Sequence, residues 1–233
     1  MRLTGVDGCK AGWIAISQEL REGGISAAVH ARFSELVKQP PESLVIAVDI
    51  PIGLTAAGPR RCDRLARLLL GVRHTTIFPA PIRAALRASK RVEASAITQR
   101  IDGRGVGAQA WNIYRKVAEV DDFLRDHPGW REKVFEVHPE VSFRAWNAGV
   151  PLAAPKKTAE GRQARQQLIS SRFGAGLFEQ IRNSYPKKLV ADDDIADAWA
   201  ALWTAARIHA GEAVFVPDPP EVDPAGLRMA ITY

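Results

Sequence analysis

The segment Leu44–Ile50, LVIAVDI, constrains the fold more than any other part of the chain. Five apolar residues, Leu44 to Val48, run into Asp49, with Pro-Glu-Ser before them and Pro51 after. An apolar, largely β-branched run of this length reads as a central strand buried on both faces, not as the alternating strand of a one-sided sheet. An acid at the end of such a strand must meet a cation, a set of N–H donors or water, because an uncompensated buried carboxylate is costly. An Asx-type turn before Pro51 is the plainer use of the same residue.

The elements around this strand place it in a sheet. Residues 2–7 read as a strand, Gly8–Gly12 as a tight loop and Trp13–Ile16 as a second strand. Glu22-Gly-Gly marks a further turn, and Ile25–Ala31 a third strand. Phe33–Lys38 is a short amphipathic helix closed by Gln-Pro-Pro. From Arg60 to about Asp126 the pattern is helical, broken at Gly71, at Phe78-Pro-Ala-Pro and at Asp102-Gly-Arg-Gly-Val-Gly. Lys133–Val137 is another apolar strand, residues 156–184 are polar and helical, and Asp192–Ala210 is a helix. The Pro-rich tail, Val214–Tyr233, ends in a short edge strand, Met229–Tyr233. Three hairpin-linked strands followed by crossover-linked strands predict an α/β fold with a mixed five-stranded sheet and flanking helices. That is the order of the ribonuclease H-like fold. The whole chain, 1–233, then forms a single domain with a helical insertion at about 60–130, between the fourth and fifth strands.

Acids recur at the ends of these core elements. Asp7 ends the first strand and Asp49 the fourth, and Glu136 sits in the fifth, opposite Phe135 and Val137 in the alternation. Asp7 also suits a plain turn, and Glu136 an exposed edge. His138 beside it reads as a structural histidine or a ligand. In the last helix Asp192 suits an N-cap, and acids of the first turn are favoured by the helix dipole. Asp197 lies beyond that turn, three residues from Asp194 and four from Asp193, so these acids share a face. Ala198, Ala201 and Ala205 continue that face, which lets the helix approach a sheet closely. Two carboxylates about 4 Å apart repel by roughly 4 kcal/mol at a protein-like effective dielectric. Divalent metal with hard oxygen ligands is the natural compensation. Trp199 and Trp203 project from the other side, so this helix is buried nearly all round, under the insertion or in a dimer interface.

Charge points the same way. The 233 residues carry a net charge of +6, yet Arg60 to Arg104 holds eleven basic residues against three acidic ones, a local excess of eight. Such a surface is either a set of solvated helix faces or a seat for a polyanion such as DNA or RNA. No stretch reaches the ~20 apolar residues of a membrane helix. The N-terminus reads as a strand, without the apolar core of a secretory peptide, and Cys9 and Cys62 build no disulfide framework, which fits a reducing cytoplasm.

Six segments together resemble the DUF 429 family of predicted nucleases with a ribonuclease H-like fold. They are GVDGCKAGW (5–13), VDIPIGL (48–54), RRCDRLAR (60–67), FEVHPEVSF (135–143), KKT…GR (156–162) and DDIADA (193–198). The final DDIADAWAAL also resembles the last catalytic helix of Holliday-junction resolvases. The resemblance implies that Asp7, Asp49 and one or two of Asp193, Asp194 and Asp197 form a metal-binding centre, with Glu136 or Glu140 completing it. It implies hydrolysis of phosphodiester bonds by two Mg²⁺ or Mn²⁺ ions roughly 3.5–4 Å apart. Arg60, Arg61, Arg64 and Arg67 would then hold substrate phosphates, and Lys10 or Lys156 would reach the scissile one. The alternatives are a phosphotransferase or ATPase of the sugar-kinase and actin type, and a catalytically silent nucleic-acid-binding protein. Gly103–Ala108 has the letters of a dinucleotide loop but follows a helical segment, so the required strand is missing.

Overall fold

The structure, a computed structural model, describes all residues 1–233. In chain order its strands are β1 (Arg2–Cys9), β2 (Gly12–Glu19), β3 (Ile25–His30), β4 (Ser43–Val48), β5 (Val134–Glu136), β6 (Phe215–Val222) and β7 (Arg228–Thr232). The helices are α1 (Phe33–Lys38), α2 (Arg61–Leu70), α3 (Arg91–Asp102), α4 (Ala108–Asp126), α5 (Pro139–Trp146), α6 (Ala159–Phe173), α7 (Leu177–Asn183) and α8 (Asp192–Ala210). None is long and apolar enough to cross a membrane.

The chain divides into two compact units. The first takes Met1–Asp49, Glu132–Val214 and Thr232–Tyr233; the second takes Ile50–Arg131 and Phe215–Ile231. The first holds the five-stranded mixed sheet, in the order β3-β2-β1-β4-β5. β1 pairs antiparallel with β2 and parallel with β4, and β4 pairs parallel with β5. Val45 to Val48 are all buried, as a central strand requires.

α8 packs against β1 and β4, and the contact is made of backbone. A Cβ at Gly5 would stand 2.0 Å from Leu202 N and 2.3 Å from Ala198 O. Only glycine on the strand, facing alanine on the helix, permits that approach. The far side of α8 is covered by α5, α6 and α7 of its own unit. Trp203 stacks on Trp146 at 5.2 Å, and Phe173 meets Trp199 at 4.7 Å. Aromatic packing of this kind accounts for both tryptophans.

Four other elements differ from the sequence expectation. α5 begins where only a strand end was expected; Pro139 supplies its first turn and Glu140 lies in that turn. The polar helix over 156–184 is two helices, α6 and α7, split at Gly174 and Gly176, both at positive φ. Ala191, not Asp192, caps α8, and the Asp194 carboxylate accepts from the Ala191 N–H at 2.8 Å. The tail forms two strands, β6 and β7, paired with each other. Three prolines hide β6 from a reading by propensity.

In the second unit α3 and α4 close over a small core of Ile82, Ala85, Ala94, Val106, Ala110 and Tyr114. Gly103, at φ 68, caps α3, so the glycine-rich loop joins two helices with no strand before it.

Candidate metal centre

Register brings the strand acids together. Val6 pairs with Val48, and the Asp49 N–H donates to the Val6 carbonyl at 3.0 Å, so Asp7 and Asp49 leave neighbouring parallel strands side by side. Asp7 shares the face of Gly5, two residues earlier, which is the face that meets α8. The backbone contact at Gly5 carries the start of α8 to the same sheet end, and with it Asp193, Asp194 and Asp197. Asp7 and Asp197 are buried; Asp49, Asp193 and Asp194 are partly so.

Asp7, Asp49, Asp194 and Asp197 lack full balancing charge, and their proton affinities show it. Burial raises Asp7 well above the usual carboxylate range, and the charges of Asp49, Asp197 and Asp194 raise it further. Asp49 is pushed well up by burial and then by Asp197, against a partial offset from Lys156. Burial also raises Asp197, with Lys156 opposing. Asp194 is pushed up to about 6, mainly by burial, although the Ala191 N–H favours its anion. Desolvation and like charge act in the same direction here.

One cation answers them. Lys156 Nζ lies 2.6 Å from Asp197 Oδ2 and 3.6 Å from Asp193 Oδ2. Asp197 draws its amine well above the usual lysine range, with Asp7 and Asp193 adding to the effect. Asp197 Oδ1 is buried with no hydrogen-bond partner. A buried carboxylate oxygen without a donor is expensive, and a bound cation is its simplest remedy.

The two remaining acids part company. Glu136 pairs in register with Val48, and Val48 with Val6, so its side chain takes their face of the sheet, opposite Asp7. It is buried, not on an exposed edge, and its charge still reaches Asp49. Glu140, in the first turn of α5, influences both Asp49 and Asp197. Its carboxylate is held by Arg165 at 2.5 Å, both side chains being buried. Glu140 is thus the acid on the side of the cluster, and an arginine already neutralises it.

The expected phosphate-binding residues scatter. Lys10 is exposed on the two-residue turn between β1 and β2. Lys156 turns toward the acids. In the second unit Arg60 is buried, bridging Asp63 at 2.6 Å and donating to the Ile52 carbonyl at 3.0 Å, which makes it a structural residue. Arg67 donates to the Ile77 carbonyl at 2.7 Å. Arg61 and Arg64 are exposed on α2, Arg61 standing 3.5 Å from Glu221. The basic excess of residues 60–104 is largely spent inside the unit. Arg83 binds Asp121 at 2.6 Å and also Asp223, Arg87 binds Asp122, and Arg104 binds Asp102 at 3.1 Å.

One family's sequence profile matches residues 5–222, a range that holds every residue of the acidic cluster. The chain belongs to the DUF429 family. That family is described as a protein of unknown function. No curated protein and no solved structure matched the chain. Within this DUF429 chain, Asp7, Asp49, Asp193, Asp194, Asp197 and Lys156 all lie inside the matched range. The ion pair of Lys156 to Asp197 spans 41 residues and left no local signal in the sequence.

Proposed function

We propose that the protein is a divalent-metal-dependent nuclease of ribonuclease H-like type that hydrolyses phosphodiester bonds in nucleic acid. The observation that carries the reading is the surplus of carboxylates at the joined ends of β1, β4 and α8, with one buried oxygen of Asp197 left unpaired. The donor set suits Mg²⁺ or Mn²⁺, which take hard oxygen ligands. Asp7, Asp49 and Asp197 would hold the ion, with Asp193 or Asp194 beside them.

A divalent ion bound there supplies Lewis acidity toward a phosphodiester and a nearby water. The chain's own groups do the rest. The Gly8 N–H donates to Asp7 Oδ1 at 2.7 Å and fixes the orientation of that carboxylate. The Ala191 N–H does the same for Asp194. Asp197, on the second turn of a helix locked to the sheet by backbone contact, cannot drift from Asp7. A held set of carboxylates of this kind makes positioning and charge compensation the source of rate.

The test is cleavage of fluorescent single- and double-stranded DNA and RNA with Mn²⁺. Activity in the wild type that falls at least about 100-fold in Asp7→Asn and Asp49→Asn is the expected result. No cleavage of any nucleic acid, with thermal stabilisation by ATP instead, would favour a phosphotransferase and overturn the nuclease.

A further inference from the structure

The segment between α5 and α6 is built as a mount for one side chain. At Gly161 a Cβ would stand 1.9 Å from the Pro155 carbonyl oxygen, so only glycine lets residues 154–156 lie against the first turn of α6. The Gly161 N–H donates to Thr158 Oγ1 at 3.1 Å, which caps that helix. Arg162 holds the Lys157 carbonyl at 2.6 Å. Buried Arg165 donates to the Gly161 carbonyl at 2.8 Å and to Glu140 at 2.5 Å. Thr158 Oγ1 also donates to the Pro155 carbonyl at 3.0 Å and Arg165 to the Ala154 carbonyl at 3.4 Å, so Thr158, Gly161, Arg162 and Arg165 all act on the backbone around Lys156, and the KKT…GR segment acquires a physical purpose.

We infer that Lys156 is a built-in monovalent cation that occupies one of the two positions a two-ion site would fill, so that the acidic centre takes a single divalent ion. This rests on the reading of the cluster as a divalent-ion site, and not on the identity of the substrate. Asp197 acts as the bridge. One of its oxygens is taken by the ammonium at 2.6 Å and the other is buried and unpaired. A second ion beside Asp197 and Asp193 would need their oxygens at about 2.1 Å. Those are the oxygens Lys156 already approaches, and two cations sharing them in a buried setting repel strongly. An ammonium offers charge and hydrogen bonds to a phosphate oxygen but cannot acidify a water, so the lysine side of the centre serves the phosphate and the ion side serves the water. Lys156 is in these terms a positioning group for the metal and a contact for the substrate.

Counting ions tests this without any turnover. Mn²⁺ titrated into metal-free wild-type protein, followed by electron paramagnetic resonance and calorimetry, is expected to saturate at one ion per chain. Lys156→Met, which keeps the length of the side chain and removes its charge, is expected to bind two, and Lys156→Arg is expected to return the count to one. Two ions in the wild type, or a count unchanged at one in Lys156→Met, would overturn the inference. The wild-type count stands even if the methionine variant fails to fold. One ion bound, with no nucleic acid cleaved, would support the lysine assignment and remove the nuclease reading; cleavage with two ions bound would do the reverse.

Discussion

Buried acids in the two units of this protein are handled in opposite ways. In the second unit each has an arginine: Asp63 with Arg60, Asp102 with Arg104, Asp121 and Asp223 with Arg83. Asp223 also accepts from the N–H groups of Leu54, Ala225 and Leu227 at 2.8–2.9 Å. Even half-exposed Asp122 is held below the usual carboxylate range by Arg87. In the first unit Glu140 follows that rule through Arg165, whereas Asp7, Asp49, Asp194 and Asp197 share one lysine and are all pushed upward. Burial is common to both sets; only compensation differs. A paired acid holds the fold together, and an acid held against its own electrostatics is available for chemistry.

The contrast has measurable consequences. Asp223→Ala should cost the most, about 3–5 kcal/mol in urea unfolding, because it strands three backbone donors and leaves Arg83 with Asp121 alone. Asp49→Asn should do the opposite in metal-free protein, leaving the urea midpoint unchanged or raising it by the equivalent of about 1 kcal/mol, since it removes a repelled charge. A loss in Asp49→Asn as large as in Asp223→Ala would erase the distinction between the sets.

The smallest effect is on pH dependence. Asp194 holds its proton up to about 6 in the folded chain, above its ordinary 3.8. Between those values the folded chain keeps a proton that the unfolded chain releases, so this group's contribution to stability falls as pH rises and is gone above about 6. Asp7 and Asp49 shift in the same direction. Metal-free protein should therefore lose stability as pH rises through this window, and Asp194→Asn should flatten that slope in urea midpoints measured with chelator present.

The sequence reading was strongest where local signals and burial agree. α1 and α8 fall at Phe33–Lys38 and Asp192–Ala210 in both the pattern and the structure, since their apolar period and their breakers are local. The acids Asp7, Asp49 and Asp197 were legible because each interrupts an apolar run. Which face Glu136 takes was not legible, because register, not composition, decides it. The arginines were misread for a related reason: the partners of Arg83 lie 38 and 140 residues away, so a run that looks like a free basic surface is mostly internal wiring. α5 was missed because no element was assigned between the strand ending at Val137 and residue 156, and a helix that opens on a proline directly after a strand has little room for a start signal of its own.

Gly5 fixes more than a contact. With no side chain between β1 and α8, their spacing is a main-chain dimension, independent of rotamers and of how well the rest of the core is filled. Repacking elsewhere would alter how firmly the helix is clamped but not how far it stands from the strand. A methyl group at this one position would act as a shim, levering the whole helix outward and parting its acids from those of the sheet in a single movement.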